Sequence, residues 1–274
     1  MTNKNLSCES FHQAGFAVIE NFYNYETEVL PIINGISDII QQVAKETKIS
    51  LVDQGKLTDL KVNIMKLVAE DRRLGAVIYD AAKQIPEFLA LVSSNKNKKI
   101  LKEIHPGIQA GVAAAGYGIR MDLPKEERFR TFWHQEFPAQ LRSSKGVVFW
   151  TPLLEVTELL GPVEILKASH TEGYKEVYNA NSDGKTGAYS LRLKNEKQIV
   201  EKFIKVAPLT KPGDLILMDY YTLHQSGKNQ ADHPRWSIQF RYFDFDNQFG
   251  RETSWKGSFA EGIDFKKVLE KGQR

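Results

Sequence analysis

The amino-acid sequence predicts an α+β fold in which helices from the first half back one face of a β-sandwich or jelly roll. Apolar residues in the first half recur at three- and four-residue steps, whereas the second half changes to short β-rich runs separated by turn signals. No linker-like segment divides the halves, and barrels and sandwiches of this size form single units, so residues 1–274 are read as one domain.

The first element is a short strand at Gly15 to Glu20. Helical periodicity then runs from Val29 to Val43 and from Leu74 to Ile100, which makes residues 24–104 mainly helical. The jelly-roll core is expected over about 107–246. Runs rich in Val, Ile, Phe, Trp and Tyr fall there at Gly146 to Leu153, Val163 to Leu166, Ile204 to Val206, Asp214 to Met218 and Trp236 to Phe245. Gly161-Pro162 and Pro212-Gly213-Asp214 are the clearest turns. From Thr171 to Lys197 the chain is polar, with Asn179, Asn181, Ser182, Asp183, Gly184 and Gly187 close together, which predicts a long lid-like loop. Residues 250–274 read as a partly helical tail without its own core.

Composition narrows the function classes. With 42% hydrophobic and 26% charged residues the chain can bury a sizeable core. A net charge of +3, from 37 basic and 34 acidic residues without a dense run, argues against nucleic acid or a lipid surface as partner. No stretch approaches the roughly 18 apolar residues of a membrane helix. Met1 to Ser10 lack the basic-then-apolar order of a signal peptide, so the expected location is cytoplasmic. Cys8 is the single cysteine, which excludes an internal disulfide and a thiolate-rich metal site, and it is read as inert. Any metal must be held by His, Asp or Glu.

The segment Thr131 to Pro138 places His134 and Glu136 two residues apart, so in extended backbone both side chains point to one face, as two ligands of one metal would. His-x-Glu alone is a weak signal, because His and Glu on a strand are usually just solvated. Of the six histidines, His224 is the candidate third ligand; it follows a strand and opens the polar turn His224-Gln225-Ser226-Gly227. Two histidines and one carboxylate on one face of an octahedral iron leave open positions for a cosubstrate and O₂. Eleven residues later Arg235 opens a strictly alternating strand. Arg235, Ser237, Gln239 and Arg241 line one face, and Trp236, Ile238, Phe240 and Tyr242 line the other. If helices cover the aromatic face, the polar face looks into the barrel, where a guanidinium can pair bidentately with a carboxylate.

The second half resembles the phytanoyl-CoA dioxygenase family of iron(II)/2-oxoglutarate oxygenases. The resemblance rests on Trp133-His134-Gln135-Glu136, Phe149-Trp150-Thr151-Pro152-Leu153, Leu160-Gly161-Pro162-Val163-Glu164 leading to Ala168-Ser169-His170, Gly213-Asp214-Leu215-Ile216-Leu217 leading to His224, and Pro234-Arg235. It implies a double-stranded β-helix, a form of jelly roll, and three cofactors: iron(II), 2-oxoglutarate as cosubstrate, and O₂. It further implies that His134, Glu136 and His224 bind iron, that Arg235 binds the C5 carboxylate of 2-oxoglutarate, and that Ser226 assists it. The family usually has Asp where this chain has Glu136, which leaves the arrangement of the open positions in question. His170 is read as structural because the triad is complete without it, and His12, His105 and His233 have no matching role.

The implied reaction is hydroxylation of a small-molecule substrate with release of succinate and CO₂. Arg120 and Arg241, with Trp150, are the candidate substrate residues; two arginines favour an anionic or heavily hydroxylated molecule, of which a sugar derivative is one example. Oligomeric state is not read from the sequence. Two other readings stay open: a cupin-like isomerase or hydrolase using another divalent metal, and a catalytically silent jelly-roll binding module.

Overall fold

The structure, a computed structural model, describes residues 11–114, 116–180 and 191–257. The first strand among the described residues is β1 (Phe16–Ile19), within the expected first strand. A wide turn of π type, Tyr25–Val29, leads into α1 (Leu30–Thr47). Pro31 lies in the first turn of α1, where a missing N–H is harmless, and Ile32, Ile33, Ile36, Ile40 and Val43 form its buried face. Lys48 ends the helix in the left-handed conformation (φ 59°). A second π-type turn, Asp59–Asn63, precedes α2 (Ile64–Glu70).

The periodic stretch from Leu74 to Ile100 forms three helices: α3 (Arg72–Ala82), α4 (Pro86–Val92) and α5 (Asn95–Ile104). The breaks have local causes. Asp71 caps α3 by accepting from the Arg73 N–H at 2.9 Å. Pro86 can begin α4 but cannot continue α3, and Ser94 caps α5.

The rest of the described chain holds β2 (Ala110–Val112), β3 (Gly118–Asp122), α6 (Phe137–Gln140), β4 (Gly146–Pro152), β5 (Val163–Leu166), β6 (Val177–Asn179), β7 (Leu191–Leu193), α7 (Glu196–Val200), β8 (Lys205–Val206), β9 (Leu215–Asp219), β10 (His224–Ser226), β11 (Arg235–Asp244) and α8 (Gln248–Thr253). The major sheet runs β1-β9-β4-β11-β2, with β3 also paired to β11; the minor sheet runs β10-β5-β8. All their pairings are antiparallel. The architecture is the expected α+β one, a double-stranded β-helix with the N-terminal helices against one sheet.

The alternation in β11 decides which way the major sheet faces. Trp236, Ile238, Phe240 and Tyr242 enter one apolar cluster with the α1 isoleucines and Phe88, while Gln239 and Arg241 face the barrel interior. Two hydrogen bonds fasten this face to the helices: Trp236 Nε1 donates to the Leu60 carbonyl (2.9 Å) and the Tyr242 hydroxyl to the Val92 carbonyl (2.7 Å). Because Trp236 is fully buried, Trp236→Ala is expected to cost about 3–5 kcal/mol of stability. Urea unfolding will measure it, and a midpoint equal to wild type would contradict this packing account.

The polar segment 171–197 is not a plain loop. A 3₁₀ turn covers Ser169–Glu172, β6 pairs antiparallel with β7, and α7 begins at Glu196. Leu191 and Leu193 are buried, and Leu193 packs with Trp133, Leu166 and Leu223, which is what holds the hairpin down. The expected lid tip, residues 181–190, and the tail 258–274 lie outside the described residues, as does Cys8. Among the described residues no helix is long and apolar enough to cross a membrane.

Candidate metal centre and its cavity

His134 and His224 face each other across an isolated antiparallel bridge, each backbone N–H donating to the other's carbonyl at 3.1 Å. Their rings lie 4.2 Å apart. In both, Nδ1 meets the carbonyl two residues back: Phe132 O at 2.8 Å for His134 and Thr222 O at 2.9 Å for His224. A carbonyl can only accept, so each Nδ1 carries the proton and each Nε2 keeps its lone pair for a metal.

Glu136 departs from the extended backbone expected of it. Its φ of −70° and ψ of −33° are helical, because it is the cap position of α6, whose first turn contains Pro138. The side chains nevertheless converge. One ligand atom from each of His134, Glu136 and His224 lies within 4.8 Å of the other two, and His134 Nε2 is 3.9 Å from Glu136 Oε1. Gln135, between them, points away and is fixed by donating to the Gly173 and Tyr221 carbonyls (2.8 and 2.6 Å) and accepting from the Lys175 N–H (2.7 Å). Among the described residues no other cluster of His, Cys, Asp and Glu converges in this way.

The electrostatics suit a cation. Burial lowers both imidazoles, His224 to about 3, so both are neutral near pH 7. Burial alone would raise the Glu136 carboxyl, but the Arg241 guanidinium, with Nη2 2.6 Å from Oε1, outweighs it and holds the group down at about 2. Two neutral nitrogens and one anionic oxygen form a ligand set suited to iron(II).

These side chains open onto a cavity of about 540 Å³, within the range of small-molecule sites. Arg120, Trp150, Ser226 and Arg241, all singled out from the sequence, line it, as does Gln239. Arg235 does not; it is 1% exposed, behind the lining. Its Nη2 donates to Asp122 Oδ2 (2.7 Å) and its Nη1 to the Gly161 carbonyl. Gly161 is obligatory there: its φ is +77°, and a Cβ would lie 2.5 Å from the Lys228 carbonyl oxygen. Asp122 also accepts from Arg120 Nε (2.8 Å); burial would raise its carboxyl, but the two arginines hold it near 2. The remaining Arg120 donors reach Thr131 Oγ1 (2.7 Å) and the Phe129 carbonyl (2.6 Å). Arg235 Nε and Ser237 Oγ, buried donors on the inner face of β11, have no hydrogen-bond partner among the described residues.

The other histidines lie elsewhere. His170 Nε2 is 3.1 Å from the His12 carbonyl, and its ring fills the space a Cβ on Gly15 would take. His105 packs edge-on to Phe11 and His12, with burial lowering it to about 4, and His233 pairs with Asp232 at 2.8 Å. Sequence reasoning missed Tyr79 on α3 and Lys83 just after it, which reach the cavity, and Tyr117 and Gln140. Helix-surface positions such as Tyr79 and Lys83 read in sequence as an ordinary solvated face.

Comparison with known proteins agrees with this geometry. The family model described as phytanoyl-CoA dioxygenase matches residues 11–237. The epimerase SnoN, solved with Fe³⁺, α-ketoglutarate and nogalamycin RO, is similar at 13% identity over 88% of this chain and 83% of its own, with a TM-score of 0.56. EctD from S. alaskensis, solved with 2-oxoglutarate and 5-hydroxyectoine, is similar at 16% identity over 90% of this chain and 77% of its own (TM-score 0.55). AviO1 from Streptomyces viridochromogenes Tue57 is similar at 16% identity over 90% and 97% (TM-score 0.58). At these identities the structures show a shared fold. No curated protein sequence matches the chain significantly.

Proposed function

The chain belongs to the phytanoyl-CoA dioxygenase family of iron(II)- and 2-oxoglutarate-dependent oxygenases, and from that premise we propose that it hydroxylates a small polar or anionic metabolite at a centre held by His134, Glu136 and His224. The observation that carries this is the convergence of two imidazoles with fixed tautomers and one ionised carboxylate in the lining of one cavity. Iron there, with 2-oxoglutarate and O₂, supplies the oxidising power, the cosubstrate leaving as succinate and CO₂. The protein's share is to place one C–H bond and to keep water and competing C–H bonds away.

For the cosubstrate, Arg235 and Ser226 are the proposed partners of the far carboxylate. The unpartnered Arg235 Nε and Ser237 Oγ support this, since buried donors without acceptors are costly unless a ligand supplies them. Arg120, Arg241 and Trp150 line the space left for substrate, but both arginines already carry carboxylate partners. Arg120 and Arg235 share the single charge of Asp122, so positive charge stays in excess even when iron(II) and the 2-oxoglutarate dianion offset each other. That excess favours a polar or anionic substrate, and a sugar derivative carrying a carboxylate fits. The ligands solved in SnoN and EctD, nogalamycin RO and 5-hydroxyectoine, differ widely, so the fold itself does not choose the substrate.

Family membership leaves little room for the cupin-like isomerase or hydrolase and for the silent binding module. The test is direct. Purified protein given iron(II), ascorbate and 2-oxoglutarate is expected to form succinate above a metal-free control, and His224→Ala to abolish the difference. Succinate formation that does not depend on the metal would sink the reading.

A further inference from the structure

We propose that Arg241 is a positioning residue for the metal centre, holding Glu136 in place from the major sheet, and that it is not a substrate ligand. This rests on the reading of His134, Glu136 and His224 as the iron site. The two histidines of the triad sit beside the minor sheet, His224 on β10 and His134 bridged to it. Arg241 comes from the major sheet, on β11 opposite Val148 of β4. The contact between Arg241 Nη2 and Glu136 Oε1, at 2.6 Å, therefore ties the triad to the major sheet, between side chains only 14% and 4% exposed.

The guanidinium is itself fixed. Arg241 Nη1 donates to the Gly116 carbonyl (3.3 Å), and Nη2 also reaches Gln239 Oε1 (3.2 Å). Glu136 needs such a holder. It leaves the backbone from the helical start of α6, and a glutamate has one more torsion to fix than an aspartate in the same place. A ligand restrained before the metal arrives loses less freedom on binding, and outer partners of this kind typically set metal affinity within a factor of about ten to a hundred.

The experiment is a titration of metal-free protein with Co(II), followed by visible absorbance, on wild type, Arg241→Met, Arg241→Lys, Glu136→Asp and the Glu136→Asp/Arg241→Met pair. Arg241→Met is expected to weaken Co(II) binding about ten- to a hundredfold, and Arg241→Lys to recover part of the loss. In the Glu136→Asp background the same removal of Arg241 should cost much less, because the shorter carboxylate cannot keep both its metal position and the arginine; the pair is then non-additive. Unchanged Co(II) affinity in Arg241→Met would overturn the inference. So would an equal loss in both backgrounds, which is the behaviour of a merely structural arginine. Where the methionine variant does not fold, Arg241→Lys, which keeps the charge, must still bind Co(II) more weakly than wild type, and parity overturns the inference. A wild-type protein that binds no Co(II) would instead overturn the iron reading itself.

Discussion

Glu136→Ala is expected to abolish iron retention and turnover together. The change removes the one anionic donor of the triad and leaves Arg241 facing a void. Breaking a buried pair by deleting one partner typically costs about 3–5 kcal/mol, so the metal-free variant should also unfold more easily. A graded series separates charge from shape. Glu136→Gln keeps the outline but offers iron a neutral amide, a poorer ligand for a divalent cation, and should bind iron nearly as badly as alanine. Glu136→Asp keeps the donor and shortens its reach, so it should retain measurable iron with reduced turnover. The expected order of iron affinity is wild type, then Asp, then Gln and Ala. Near-normal iron content and hydroxylation in Glu136→Ala would require the carboxylate to come from elsewhere.

Arg235→Ala should weaken 2-oxoglutarate binding far more than iron binding. Losing the guanidinium from a desolvated carboxylate pair costs about 3–5 kcal/mol, or roughly two to four orders of magnitude in affinity. The same residue braces Asp122 and the Gly161 carbonyl, so the variant should lose stability as well. Calorimetric titration of 2-oxoglutarate into Co(II)-loaded protein, confirmed folded at the working temperature, keeps the two effects apart. Unaltered 2-oxoglutarate affinity would take Arg235 out of the site and leave it as a brace.

Local patterns carried most of the architecture. Trp236, Ile238, Phe240 and Tyr242 announce a covered face because four large apolar side chains at a spacing of two have no other stable place, and the structure puts them against helices. The candidate ligands were legible as residue types, with the third histidine and the arginine reached through resemblance to a known family. What stayed hidden depends on contacts between distant segments. The hairpin of β6 and β7 looked like loop because Leu193 is isolated in a polar stretch and finds its partners in Trp133, Leu166 and Leu223. Asp122 stands between Arg120 and Arg235 only because β3 and β11 pair with Arg235 opposite Asp122, a register no local pattern encodes. The approach of Tyr79 and Lys83 to the cavity likewise follows from how α3 lies on the sheet.

The two imidazoles are oriented by main-chain carbonyls, Phe132 O and Thr222 O, whereas the carboxylate is oriented by a side chain, Arg241. Point mutation can rewrite a side chain, but it cannot delete a carbonyl. The histidine half of the centre is therefore insulated from neutral drift in its surroundings, and the carboxylate half is exposed to it. Retuning of this iron site without replacing a ligand therefore has its most direct route through the side-chain partners of Glu136, which makes that one carboxylate the adjustable end of an otherwise backbone-templated metal seat.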